Sequence, residues 1–332
     1  MKNRSLFIII MLLTLVFGLT ACSKKTETKP EENKIRITAA IFPAYDWTRV
    51  ILGENPADAE LTLLVDNGVD LHSYQPSVED ILTIHNADLF IYTGGESDKW
   101  ITEALESAEA GPAHVIKMLD AIGEAAKEEE YVEGMQQDHE HEHEHEHEEA
   151  EAEYDEHVWL SLTNAMTITD TIAKELAALD PGHADLYQAN AAAYKEKLSD
   201  LDTAYRDTVG TATAKTLIFG DRFPFRYLTE DYGLDYYAAF SGCSAETEAS
   251  FETISFIADK VDELKPGAVL TIDGSDKRVA ETIVRNTKTG DHPILILNSM
   301  QSVSLEDVRK GVTYLSVMEE NLDVLKKALE TK

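Results

Sequence analysis

HADLYQANAAAYKEKLSDLDTAYRDTV, residues His183 to Val209, carries Tyr187, Tyr194, Leu198, Leu201 and Tyr205 at successive spacings of 7, 4, 3 and 4. Those intervals place all five side chains on one stripe of an α-helix. A helix of about 27 residues extends roughly 40 Å at 1.5 Å per residue, long enough to run down two domains. What lies on either side of it therefore decides the fold.

On the N-terminal side, short β-branched runs predict strands at Lys34 to Ile41, Leu61 to Val65, Asp88 to Thr93 and His114 to Met118. Helical patterns fall between them at Ala44 to Gly53, Ser77 to Ala87 and Asp98 to Ala108, and a further helix is expected from Thr163 to Leu179. On the C-terminal side the alternation resumes. Strands are expected at Thr216 to Phe219, Leu234 to Phe240, Ala268 to Asp273 and Ile294 to Asn298. Helices follow at Phe225 to Asp231, Thr247 to Leu264, Asp276 to Asn286 and Val312 to Leu329. This is an α/β pattern of two lobes, each a parallel sheet flanked by helices. The expected division is an N-terminal lobe over 34–179, a linking helix over 180–209 and a C-terminal lobe over 210–332. Ligands sit at the carboxyl ends of parallel strands, so a site is expected in the cleft between the lobes.

The chain opens on Met1-Lys2-Asn3-Arg4 and an apolar run from Leu6 to Leu19, the pattern of an export signal too short for an ordinary membrane-spanning helix. The run ends in Leu19-Thr20-Ala21-Cys22-Ser23, which resembles a bacterial lipobox. The expectation is a signal peptide over 1–21, lipidation of Cys22 and a polar tether over 22–33. That places the protein on the extracytoplasmic face of a bacterial plasma membrane, held there by its lipid. Cys243 is the one other cysteine, so no disulfide is expected within the mature chain. A formal charge of −33, from 62 acidic against 29 basic residues, argues against nucleic acid as a partner, because phosphate binding needs clustered Lys and Arg.

Eleven histidines are the residues to weigh. Five of them, His139, His141, His143, His145 and His147, alternate with acids inside a low-complexity segment from Glu124 to Glu153 that is not expected to build a core. Neutral imidazoles bind zinc, so the repeat is a candidate low-affinity metal loop. His72 lies in Asp70-Leu71-His72-Ser73-Tyr74-Gln75-Pro76-Ser77, on a strand-to-helix connection at the ligand-bearing edge. His157 lies in Asp155-Glu156-His157-Val158-Trp159-Leu160-Ser161, just ahead of a helix. His85, His114, His183 and His292 show no ligand pattern.

These two stretches resemble the metal-binding signatures of the solute-binding lipoproteins of metal ABC importers, of the zinc-uptake type. The resemblance runs over nearly the whole mature chain and includes Ala87-Asp88-Leu89 to Gly94, Trp100, the long helix, Tyr232-Gly233-Leu234 and Leu270-Thr271-Ile272-Asp273. It implies two α/β lobes with the ion between them, an ABC permease as partner and zinc as the transported ligand. It also implies His72 and His157 as imidazole ligands from the first lobe and Asp273 as a carboxylate ligand from the second. One feature of the family is missing. The loop after the first strand of the second lobe normally supplies a third histidine, and here it reads Phe219-Gly220-Asp221-Arg222-Phe223-Pro224-Phe225-Arg226. Asp221 is the nearest residue there able to bind a cation, while Cys243 or Glu246 could be brought in from another loop. Arg222 would repel a cation unless it turns away or pairs with an acid.

Imidazole favours zinc, and added carboxylates pull toward Mn2+ or Fe2+, so a manganese- or iron-binding member of the same importer family is the alternative. A surface adhesin on the same fold and a secreted metallohydrolase are the rivals from other classes. The hydrolase lacks a His-Glu-x-x-His pairing, a serine nucleophile elbow and a phosphate-cradling glycine loop, so no enzymatic activity is expected.

Overall fold

Buried apolar runs set both sheets. Leu89-Phe90-Ile91-Tyr92 is buried at all four positions, as befits a central parallel strand covered by helices on both faces. The computed structural model describes residues 34–55, 57–106, 111–136, 153–244 and 248–330. From Ile35 onward the described chain forms one compact unit.

The first half runs β1 (Arg36–Ala39), α1 (Phe42–Leu52), β2 (Glu60–Leu63), α2 (Val78–His85), β3 (Leu89–Tyr92), α3 (Lys99–Glu106), β4 (His114–Lys117) and α4 (Met118–Ile122). Its strands are all parallel, in the order β2-β1-β3-β4. Then come α5 (Leu162–Leu179) and the long α6 (Ala184–Thr211). The second half runs β5 (Thr216–Phe223), α7 (Arg226–Tyr232), β6 (Asp235–Ser241), α8 (Phe251–Leu264), β7 (Val269–Thr271), α9 (Arg278–Asn286), β8 (Ile294–Ile296), α10 (Leu305–Arg309) and α11 (Tyr314–Ala328). Its order is β6-β5-β7-β8, again parallel, so the second sheet repeats the first. Helix starts follow the sequence: Ser77 closes a capping box with Asp80 on α2, Ser161 caps α5, and Ser250 caps α8.

The halves are bolted together. Tyr187, Tyr194, Leu198, Leu201 and Tyr205 of α6 are all buried, as their stripe requires. The last helix, α11, crosses to the first half: the Tyr314 backbone N–H donates to Asp46 Oδ2 (2.9 Å), and its ring meets Trp47 edge-on at 5.0 Å. Tyr205 Oη in turn donates to the Met318 carbonyl (2.6 Å).

Two expectations are corrected. β5 does not stop at Phe219 but continues through Phe223, with a break in register between Phe219 and Arg222. The acidic segment after α4 is not all outside the core either. Met135 is buried in it, the Gln136 N–H donates to the Ala239 carbonyl (2.9 Å), and Glu128 bridges to Tyr154. Cys22, Glu246 and the five repeat histidines lie outside the described residues.

Candidate metal centre

His72 is presented by a single 3-10 turn, Leu71–Ser73, in the connection between β2 and α2. Asp70 caps that turn, its Oδ1 accepting from the His72 backbone N–H at 3.0 Å. Its Oδ2 takes Arg222 Nη2 at 2.6 Å, an ion pair reaching from β5 of the second half. Burial alone would raise the Asp70 pKa, yet the charge and hydrogen bond of Arg222 hold it below the usual carboxylate range. The cation that would repel a metal is thus neutralised by an acid.

His157 lies ahead of the turn Val158–Leu160 and is fully buried. Asp155 Oδ1 receives both its backbone N–H (2.9 Å) and its ring Nδ1 (3.1 Å), which leaves the Nε2 lone pair as the outward donor atom. The turn is anchored to the second half, through Tyr227 Oη on the Asp155 carbonyl and Trp159 Nε1 on the Ser299 carbonyl, both at 2.8 Å. His72 is oriented likewise, its Nδ1 lying 2.6 Å from Ser97 Oγ and 3.7 Å from Glu156 Oε2. Glu156 Oε1 accepts from the Ser97 N–H (2.6 Å), while its buried Oε2 makes no hydrogen bond. A Cβ on Gly95 would fall 2.3 Å from Glu156 Cγ, so glycine is what lets this carboxylate lie flat against the backbone.

The two imidazoles face each other, His72 Nε2 to His157 Nε2 at 3.1 Å. At that distance one ring's N–H can donate to the other's lone pair, and a metal ion that replaces this proton would be bound by both nitrogens. Tetrahedral zinc with Zn–N bonds of 2.0–2.1 Å sets nitrogens about 3.4 Å apart, so the pair is close to the spacing such an ion demands. Burial, reinforced by the neighbouring charge of His157, drives the His72 pKa down to about 3. For His157 burial also acts downward, but the Asp155 carboxylate outweighs it and the net shift is upward. One proton, held on His157, is therefore the competitor of a metal. Burial pushes Glu156 up to about 7.

The remaining predicted residues are placed differently. Cys243, in the turn after β6, joins the pair: one nitrogen of each imidazole and its Sγ all lie within 4.8 Å of one another. Asp273 and Asp221 line a cavity of about 340 Å3 beside His72, and both carboxylates already accept hydrogen bonds from their own half. Asp273 Oδ1 accepts from the Ser299 N–H and Oγ (both 2.6 Å), and Oδ2 from Ser302 Oγ (2.7 Å). Asp221, inside the β5 irregularity, accepts from the backbone N–H groups of Arg222 (2.9 Å) and Ile272 (3.4 Å). Burial is the main reason its pKa is raised. His114 and His183 pair with Glu175 and Asp180, away from the site. Sequence reasoning missed Asp155, Ser97, Glu156 and Gln301, whose Nε2 lies 2.9 Å from His157 Nε2. Asp155 and Glu156 adjoin His157 in sequence and could have been suspected; nothing local marks Gln301.

Comparison with known proteins agrees with this architecture. The family described as ZnuA, zinc-uptake complex component A, periplasmic, matches residues 37–328. The chain is 30% identical to the high-affinity zinc uptake system protein ZnuA of Bacillus subtilis (strain 168), over 100% of this chain and 99% of the relative. It is also 30% identical to the zinc-binding lipoprotein AdcA of Streptococcus pneumoniae (strain ATCC BAA-255 / R6), covering 94% of this chain but only 58% of that longer protein. Among solved structures, the Zn(II)-bound ZnuA-like domain of Streptococcus pneumoniae AdcA superposes with a TM-score of 0.69 at 28% identity, covering 89% of this chain and 99% of that one.

Proposed function

The chain belongs to the ZnuA family, and from that premise we propose that it captures Zn2+ outside the cytoplasmic membrane and delivers it to the permease of an ABC importer. The observation that carries this reading is the opposed pair His72 and His157, buried at the junction of the two halves with Nε2 atoms 3.1 Å apart. Both rings are held at Nδ1, His157 by the Asp155 carboxylate and His72 by Ser97 Oγ, and a carboxylate partner strengthens the opposite nitrogen as a metal donor. Zinc is cargo here, so the site must both hold and release it. His72 is the ligand suited to move: its turn is short, and its cap Asp70 is gripped by Arg222 from β5. Docking on a permease that displaces the β5 end would pull on that cap and open the pair.

The anchoring proposed is lipid on Cys22, with the repeat His139 to His147 collecting ions loosely for the buried site. Among the described residues no helix is long and apolar enough to cross a membrane. Equilibrium dialysis against zinc, manganese and iron tests the reading. Wild type is expected to hold one tight zinc, with weaker ions that vanish when residues 139–147 are deleted. His72→Ala is expected to weaken the tight site by more than about 100-fold, beyond the loss typical of an outer-shell change. Unchanged tight binding in His72→Ala refutes the proposal.

A further inference from the structure

We propose that Cys243 is the third ligand of this centre and that its thiolate, rather than a carboxylate, makes the site select zinc over manganese and iron(II). The inference rests on the zinc-binding reading above and adds the donor that decides which ion is kept.

Position comes first. Sγ lies within 4.8 Å of one nitrogen of each imidazole, and these are the only three such side chains found converging among the described residues. Zinc bonds of about 2.05 Å to nitrogen and 2.3 Å to sulfur give tetrahedral edges of roughly 3.4 and 3.6 Å, so an inward shift of about 1 Å closes the cluster. The backbone is shaped for that approach. A Cβ on Gly242 would fall 3.0 Å from His157 Cε1 and 2.9 Å from the Phe223 carbonyl, so only glycine lets the turn after β6 pass against the imidazole. From the other side, the Cys243 N–H donates to Glu129 Oε1 (3.4 Å).

The competing oxygens are engaged elsewhere. Asp273 accepts three hydrogen bonds from Ser299 and Ser302, Asp221 is turned to two backbone N–H groups, and Asp70 is held by Arg222. Recruiting any of them to a metal would set the ion in competition with those donors for the carboxylate lone pairs. The thiol's tie is a hydrogen bond to the Glu129 carboxylate, an acceptor that a thiolate on a metal no longer needs. Burial, with Glu129, Glu156 and Asp155 nearby, keeps it protonated, and a dication is what removes that proton. Two imidazoles and a thiolate suit zinc, whereas manganese prefers carboxylate and water. The cavity beside His72 supplies room for a water in the fourth position and a path for the ion.

The test uses the full chain carrying Cys22→Ser, so that Cys243 is its one thiol, and Co2+ as the probe. Cobalt bound through sulfur shows a near-ultraviolet thiolate-to-metal charge-transfer band, which nitrogens and oxygens, including those of the histidine repeat, do not produce. The band is expected to appear at one equivalent, to be displaced by one equivalent of zinc, and to vanish in Cys243→Ser. Cys243→Asp, checked for native circular dichroism, is expected to keep zinc binding while shifting the zinc-to-manganese affinity ratio at least tenfold toward manganese. Tight cobalt and zinc binding without the band overturns the Cys243 assignment and leaves the His72–His157 reading standing. A band that persists in His72→Ala with unweakened zinc binding keeps sulfur as a ligand and overturns the His72–His157 reading instead. An unchanged metal ratio in Cys243→Asp overturns the claim of selectivity.

Discussion

The two sheets share one strand order, yet their rims are used differently. In the first half the connection after the second strand, β2, presents His72; in the second half the connection after the second strand, β6, presents Cys243. The equivalent strands thus bring nitrogen from one side and sulfur from the other. Of the central strands of the second sheet, β5 carries Asp221 near its carboxyl end and β7 is followed by Asp273, and both acids are tied into the fabric of their own half. A carboxylate at a cleft is therefore evidence of a ligand only after its hydrogen bonds have been counted. Brace and ligand are separable by experiment, because a ligand change moves affinity and a brace change moves stability.

Among the contacts that support the ligands, the largest effect is expected on the ring orientation of His157. Asp155→Asn removes the carboxylate that receives Nδ1 at 3.1 Å, and zinc affinity should fall between roughly tenfold and a hundredfold, measured by competition with a chromophoric chelator. A loss of less than about threefold would mean that the Asp155 contact does not orient a donor.

Proton competition comes next. The His157 pKa is raised and that of His72 sits near 3, so between about pH 4 and 6 one imidazole proton, not two, must leave for zinc to bind. Each pH unit below the His157 value should cost about tenfold in affinity from that proton. A thiol held protonated by its surroundings adds a second proton over the whole range up to pH 9. A plot of log affinity against pH should therefore have a slope near two below the raised His157 value and near one above it, falling by one throughout in Cys243→Ser. The sign reverses for the metal-free fold. The raised pKa of His157 contributes stability that is fully present below about 6.5 and is lost as pH rises through the folded value. Zinc and acid thus stabilise the same residue in mutually exclusive forms.

How far the sequence could be read follows from the same distinction. The eight strands of the described residues and the long helix were legible, because buried parallel strands must be runs of apolar residues and a helix packed on one side must show its stripe. His72 and His157 stood out through their flanking residues and the family resemblance. The β5 irregularity was not legible, since Gly220-Asp221-Arg222 reads as a loop and continues as strand only because β6 pairs again at Phe240 and Ser241. The turn toward the second half in Lys127 to Gln136 was hidden by its acidic composition; its order comes from partners about 100 residues away, such as Tyr227 Oη on the Lys127 N–H. Nor could Cys243 be ranked against the acids. Sequence shows which residues can bind a cation, but not whether their lone pairs are already engaged.

A smaller effect is expected where the halves touch beside the site. Arg222 Nη2 and Asp70 Oδ2 are 2.6 Å apart with both side chains mostly buried, and Asp70 also caps the His72 turn. Arg222→Ala and Asp70→Asn should each quicken zinc release about fivefold in stopped-flow chelation, and the double variant should release no faster than either alone. Their coupling should be about 1 kcal/mol. Additive effects would mean that the pair does not act as one tie.

The smallest change in affinity should come from Asp273→Asn, and it cuts most directly between brace and ligand. If Asp273 holds Ser299 and Ser302 in place, an amide oxygen can still accept one hydrogen bond, but its NH2 faces hydroxyls that must reorient, and the carboxylate charge is lost. Weakening this set should cost about 1–2 kcal/mol of folding stability, a fall of roughly 2–4 °C in Tm for a chain of this size. Zinc affinity should change by less than about threefold, because the disturbance reaches His157 only through Gln301, whose Oε1 accepts from Ser299 Oγ at 2.9 Å. Calorimetry with and without zinc reads both quantities in one variant. An affinity loss above a hundredfold with an unchanged metal-free Tm would make Asp273 a ligand, and the second half would then donate oxygen where the geometry points to sulfur.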